Sequence, residues 1–256
     1  MNKKRKTATA IAVVLFMLVA LEIVYIFSEL YTESDIPDNQ TVTDSIKFKE
    51  EYEALNGTKN SNGQQIRSIL IDEDNPLIYA EAKDIVSMIE NKESFIVYFG
   101  FANCPWCRSV IPSLITSAKE NNVTKIYYVD VLSIRDKYEL NDKNKAVRTT
   151  EGTEDYYKLL SLLDSVLDEY TPLTYKDKKN KIKKVKINEK RIYAPNVIAV
   201  KNGEAKLNES GIIDALDDAY MELTDEMKCE MKERFRCLFD VLKEDNQVCE
   251  IDSQKC

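Results

Sequence analysis

Cys104 and Cys107, separated only by Pro105 and Trp106, stand between the apolar run Phe95–Phe101 and a helix-forming stretch from Arg108 to Glu120. An apolar run of that length ending at a helix start reads as a buried strand. Cys104 is then expected at a helix N-terminus, where unpaired backbone N–H groups and the positive end of the macrodipole favour a thiolate. Cys104 is the expected attacking sulfur. Cys107, one turn inward, is the expected resolving and less exposed one.

The 256-residue chain is 44% hydrophobic and 31% charged, an ordinary globular balance. Lys3, Lys4, Arg5 and Lys6 precede a mostly apolar stretch from Ala8 to Phe27. As a helix this stretch would cross a hydrocarbon core of roughly 30 Å with its basic end in the cytoplasm. Residues 1–27 are therefore expected to be the cytoplasmic tip and transmembrane anchor of a single-pass cell-membrane protein with its domain outside; a cleaved signal peptide is the alternative. The net charge of −8 becomes more negative once the basic tip is set aside, which argues against nucleic acid as a partner. The chain has no histidine, so imidazole acid–base catalysis, Ser-His and Cys-His nucleophile pairs and His-ligated metals are excluded. Six cysteines outside the cytoplasm permit lasting disulfides beside a reactive pair.

Residues 28–65 are polar apart from Phe48, Tyr52 and Leu55 and read as an extracytoplasmic stalk. Ile66–Ile71 is the expected first strand, ended by Asn75-Pro76. Ala82, Ile85, Val86 and Ile89 recur at helical spacing. Lys125–Val131 is suited to a buried parallel strand, which would complete a βαβ unit with the helix after Cys107. A helical insertion is expected over about 132–190, its helix running from Thr153, the cap, to Tyr170. One face of it holds Tyr156, Leu159, Leu160, Leu163, Val166 and Leu167. The run Lys176–Arg191 holds nine basic residues against two acidic ones and reads as a solvated hairpin, with an anionic cell-wall polymer or acidic client as the alternative. Asn196–Val200 is a further strand, Lys201-Asn-Gly-Glu204 a hairpin turn, and Ile212–Leu223 a closing helix. No internal repeat is expected.

Residues 224–256 read as a helical extension carrying Cys229, Cys237, Cys249 and Cys256. On one helix, residues eight apart rise about 12 Å, beyond the roughly 4.4–6.8 Å that a disulfide spans, so Cys229 and Cys237 do not pair with each other. Bridges Cys229–Cys256 and Cys237–Cys249 are one possibility, a Cys249–Cys256 loop another, and a zinc site a third. For Cys104 and Cys107 the competing structural readings are a lasting disulfide or half of a four-cysteine zinc site, and for zinc a second CxxC would be expected where none exists.

The order of elements, with CxxC at the first strand-to-helix turn, resembles the α/β thioredoxin fold, a three-layer arrangement of a central mixed sheet flanked by helices. Pro112 stands eight residues after Cys104, where that family kinks its active-site helix. Pro195 opens the late strand, where the family keeps a cis-proline facing the cysteines. The resemblance covers about residues 66–223. More narrowly, Tyr98–Arg108 and Arg191–Pro195 are similar to membrane-anchored thioredoxin-like proteins of Gram-positive bacteria, some of them called bacteriocin transport accessory proteins. The resemblance implies thiol-disulfide exchange through Cys104 and Cys107 on exported proteins or peptides, supported by a membrane redox partner. It also implies client docking on Pro105, Trp106, Ala194 and Pro195, and no metal or organic cofactor. A non-enzymatic accessory module holding a secreted peptide or its transporter is the alternative. One residue departs from the family: Tyr98 stands where thioredoxins carry a buried Asp, and a phenol with an unperturbed pKa of about 10 is a poor base.

Overall fold

Strand β2 (Phe95–Gly100) is buried at every position, and a strand of that kind must be covered on both faces. The computed structural model describes residues 39–243 and places β2 at the centre of a five-stranded mixed sheet. The other members are β1 (Leu77–Tyr79), β3 (Ile126–Asp130), β10 (Asn196–Lys201) and β11 (Glu204–Glu209), in the order β1-β3-β2-β10-β11. β1 and β2 both pair parallel with β3, while β10 runs antiparallel to β2 and to β11. Asn202 (φ 55°) and Gly203 (φ 76°) form the two-residue turn between β10 and β11, a conformation that the Asn-Gly pair adopts at little cost.

Alternate strand residues face opposite layers. Ile96, Tyr98, Tyr128, Val197 and Ala199 meet α1 (Asn39–Glu53), α3 (Pro105–Glu120) and α5 (Asp225–Asp240). Phe95, Val97, Phe99, Val129, Ile198 and Val200 meet α2 (Ala82–Glu90) and α4 (Glu154–Leu162). The buried side of α2 is Ala82, Ile85, Val86 and Ile89, as its spacing predicted. On α3, Ser109, Ser113 and Ser117 recur every four residues and leave room for a close neighbour. Ser113 and Ser117 donate to the Lys228 and Lys232 carbonyls of α5, and Ser109 to Ala219 O.

Several expectations are corrected. The stalk reading fails from Asn39 onward: α1 belongs to the compact unit, with Phe48 and Tyr52 wholly buried. Ile66–Ile71 is extended but pairs with no strand, because side chains take its backbone groups. Asn56 accepts from Ile69 N (3.0 Å) and donates to Ile69 O (2.7 Å), and Glu53 accepts from Ile71 N (2.7 Å). The first strand comes after Pro76 instead. β1 lies at the sheet's margin, and its Leu77 and Tyr79 amides are taken by Asn75 Oδ1 (3.1 Å) and Asp44 Oδ2 (3.1 Å). No helix spans Ile212–Leu223; the closing helix is α5, within the expected extension.

The insertion is largely β. It contains the hairpins β4 (Lys137–Leu140)–β5 (Ala146–Thr150) and β7 (Leu173–Lys176)–β8 (Ile182–Val185), and the short pair β6 (Asp168–Glu169)–β9 (Lys190–Arg191). In that pair Asp168 faces Arg191 and Glu169 faces Lys190, opposite charges across the ladder. Thr153 caps α4 as predicted, but the helix ends at Leu162, and a 3-10 turn over Asp164–Val166 follows. Leu163 and Leu167 remain buried without it. The two hairpin turns share one device, written Asn141-Asp-Lys-Asn-Lys145 and Asp177-Lys-Lys-Asn-Lys181. In each, the first side chain accepts from amides two and four residues on, and the Asn at the fourth position has positive φ. The basic run does form an exposed hairpin, β7–β8, with Ile182 two-thirds exposed.

The expected anchor, residues 1–27, lies outside the described residues, as do Cys249 and Cys256. Among the described residues no helix is long and apolar enough to cross a membrane. Cys229 and Cys237 each take part in a disulfide, while Cys104 and Cys107 are free thiols.

Candidate active site

β2 ends at Gly100, and the chain turns through Phe101–Asn103 to deliver Cys104 to the N-cap of α3. Gly100 is required by packing: a Cβ there would lie 2.1 Å from the Tyr98 hydroxyl. Pro105 occupies the first helical turn, where a missing N–H costs nothing. Cys104 Sγ accepts from the Cys107 amide at 3.2 Å, the sulfur counterpart of a side-chain cap. Pro112 lies within α3, where the resemblance placed it.

The Ala194–Pro195 peptide bond is cis, and Ala194 O lies 3.3 Å from Cys104 Sγ. The structure thus brings Cys104, Cys107 and Ala194 together, with Pro105 and Trp106 half-buried beside them and Pro195 buried. One expectation is corrected: Cys104 is only 3% exposed, its sulfur turned toward the Ala194 carbonyl. Trp106 is a half-buried neighbour of the core.

The two thiols are pushed in opposite directions. Hydrogen bonding from the Cys107 side chain lowers the Cys104 pKa, with the Cys107 and Trp106 amides and the Arg135 charge adding to it against the effect of burial. Burial raises that of Cys107 well above an ordinary thiol, and the Cys104 hydrogen bond and charge add to it. Cys104 is therefore the readier of the two sulfurs to ionise, and Cys107 the more strongly held to its proton.

Sequence reasoning missed two cations here. Arg135 enters from the start of the insertion and stacks on Phe101, 5.2 Å from the ring centroid. Arg108 is wholly buried with no carboxylate partner among the described residues. Its guanidinium donates to Arg67 O (2.7 Å), Tyr52 O (2.8 Å), Ala102 O (3.2 Å) and Asn56 Oδ1 (2.7 Å). Burial lowers its pKa. It ties α1, the 66–71 segment and the loop before Cys104 into one frame. Its place directly after the second cysteine was the available signal, yet an Arg opening a helix ordinarily faces water.

Next to the site, the insertion is held by an ionic hub. Arg191 donates to Asp136 Oδ1 (3.4 Å), Arg148 Nε lies 3.7 Å from the other oxygen, and Arg148 also binds Glu189. Burial raises the Asp136 pKa against these two cations. Tyr193, just before Ala194, is tied to Thr171 and to Glu169 O.

Comparison with protein families, with curated proteins and with solved structures found no match to this chain.

Proposed function

We propose that the chain is a thioredoxin-like thiol-disulfide oxidoreductase, anchored in the cell membrane and acting outside it on exported proteins or peptides. The observation that carries this reading is the free pair at the helix start: Cys104 poised to ionise and Cys107, held protonated, at its back. The Cys104 thiolate attacks a client disulfide and forms a mixed disulfide, releasing one client thiolate. Cys107 then attacks Cys104 Sγ, and the second client sulfur leaves. Run backward, the oxidised pair accepts electrons from a client dithiol; the reduction potential sets the direction.

The Ala194 carbonyl is placed to meet an extended client. A protonated Cys104 donates to it, whereas a thiolate cannot, so ionisation frees that oxygen for a client amide. Because Cys104 is almost covered, a client reaches the sulfur by displacing this contact. Wild-type protein is expected to reduce insulin with dithiothreitol as donor, or to oxidise a reduced refolding substrate, and Cys104→Ser to abolish both. Equal behaviour of the two proteins would leave only the accessory-module reading.

A further inference from the structure

The resolving step requires Cys107 to lose a proton in a place that water does not reach. Cys107 is wholly buried, and burial holds its proton on. No carboxylate stands at position 98; a second buried phenol adjoins the one that does. The Tyr98 hydroxyl lies 2.9 Å from the Tyr52 hydroxyl, and its other neighbour in the buried cluster is the Cys107 thiol, with which it interacts electrostatically. The Tyr52 ring meets Tyr128 edge-on with centroids 6.2 Å apart, and the Tyr128 hydroxyl donates to Glu51 Oε1 at 3.2 Å. Tyr52, Tyr98 and Tyr128 are fully buried, and Glu51 is half-buried and also accepts from Tyr79.

Neighbouring rings fix the hydroxyls in place. Tyr98 stacks on Tyr128 at 5.5 Å between centroids and Tyr52 on Phe48 at 4.4 Å. Arg108, which donates to the Tyr52 carbonyl, and Asp44, Asp130 and Lys47 are the other charged groups that reach the cluster. Burial raises all three phenols, so none forms a standing phenolate. A hydroxyl does not need to ionise to relay: it can give one proton while it receives another.

We infer that Tyr98, Tyr52, Tyr128 and Glu51 form a proton relay that takes the Cys107 proton out of the core during resolution. The inference rests on the oxidoreductase reading. As Cys107 Sγ attacks Cys104 Sγ, its electron pair forms the Cys104–Cys107 bond, and the pair of the Cys104–client bond leaves with the client sulfur. The Cys107 proton passes to Tyr98, which gives its own to Tyr52, which gives its own to Tyr128, which protonates the Glu51 carboxylate. Glu51 returns that proton to water, where the departing client thiolate finds one. Atoms and electrons balance without any further reagent. Tyr98 is the catalytic member because it touches a reacting sulfur; Tyr52, Tyr128 and Glu51 act through it.

Reduced protein mixed with excess dithiobis-nitrobenzoate separates the two steps. Cys104 releases one coloured thiolate as it forms the mixed disulfide, and Cys107 releases a second as it resolves it. Tyr98→Phe is expected to leave the first phase unchanged and to slow the second roughly a hundredfold at neutral pH, recovering as rising pH lets hydroxide take the proton. Tyr52→Phe and Glu51→Gln are expected to slow the second phase about tenfold with the first unchanged. Thermal melting of each variant checks folding, and Glu51→Gln, at the half-buried end, serves if a core variant does not fold. A second phase at the wild-type rate in Tyr98→Phe overturns the relay. So does a slowing confined to Tyr98→Phe, which reduces its role to one hydrogen bond. Absence of any second phase in wild type removes the oxidoreductase reading and the relay with it.

Discussion

The two faces of the central sheet are built for different purposes. The face under α2 and α4 is close to pure aliphatic and aromatic packing: Ile85, Ile89, Val97, Phe99, Val129, Ile198 and Val200 touch one another and little that is polar. The face under α1, α3 and α5 contains the dithiol, three buried phenols, a buried guanidinium and a row of serines. Apolar burial on the first face stabilises through area alone. On the second, each polar group must find its partner or cost stability. Chemistry and vulnerability are therefore on the same side, and the other side provides the rigid support.

The largest expected effect is on the polar face. Arg108→Leu removes the donor of three carbonyls and of Asn56 at once, and roughly 3 kcal/mol or more of unfolding free energy should be lost in urea denaturation. The loop before Cys104 loses its tie as well, so the alkylation profile of Cys104 should change with it. Next comes the opposite face: Ile85→Ala should cost about 2–4 kcal/mol through the cavity it leaves. The pH profile of Cys104 alkylation should stay where it was. A shift there would mean that the two faces are coupled.

The smallest effect sharpens the electrostatics. Wild-type Cys104 should alkylate with a midpoint below that of a free thiol, because its lowered pKa leaves more thiolate at neutral pH. Arg135→Gln removes one stabilising cation, so the midpoint should move up and neutral-pH alkylation should slow, with the fold unaffected. An unchanged midpoint would leave the lowering to the hydrogen bonds from Cys107 and Trp106 alone.

Legibility in the sequence followed burial. β2 and β10 are buried almost throughout, and β3 over most of its length, so all three could be read as apolar runs; Asn202-Gly203 showed the turn, and the cysteine spacing showed the start of α3. What failed was packing carried by few residues. Phe48 and Tyr52 are two core side chains in a polar helix whose apolar periodicity is thin. Ile66–Ile71 alternates like a strand, but its hydrogen-bonding partner is the Asn56 side chain, which no periodicity announces. The insertion's hairpins are half-exposed and so lacked a hydrophobic signal. At the site, spacing located both sulfurs but not how deep they lie. The phenols around them come from α1, β2 and β3, and only the fold brings them together.

The margin of the sheet at β1 has one more consequence. Exposed strand edges recruit foreign strands, because free amides and carbonyls invite pairing. Here Asn75 and Asp44 occupy the Leu77 and Tyr79 amides, so an unfolded polypeptide passing this side finds no template to zip onto. This margin of the sheet is thereby protected from edge-to-edge association with foreign strands.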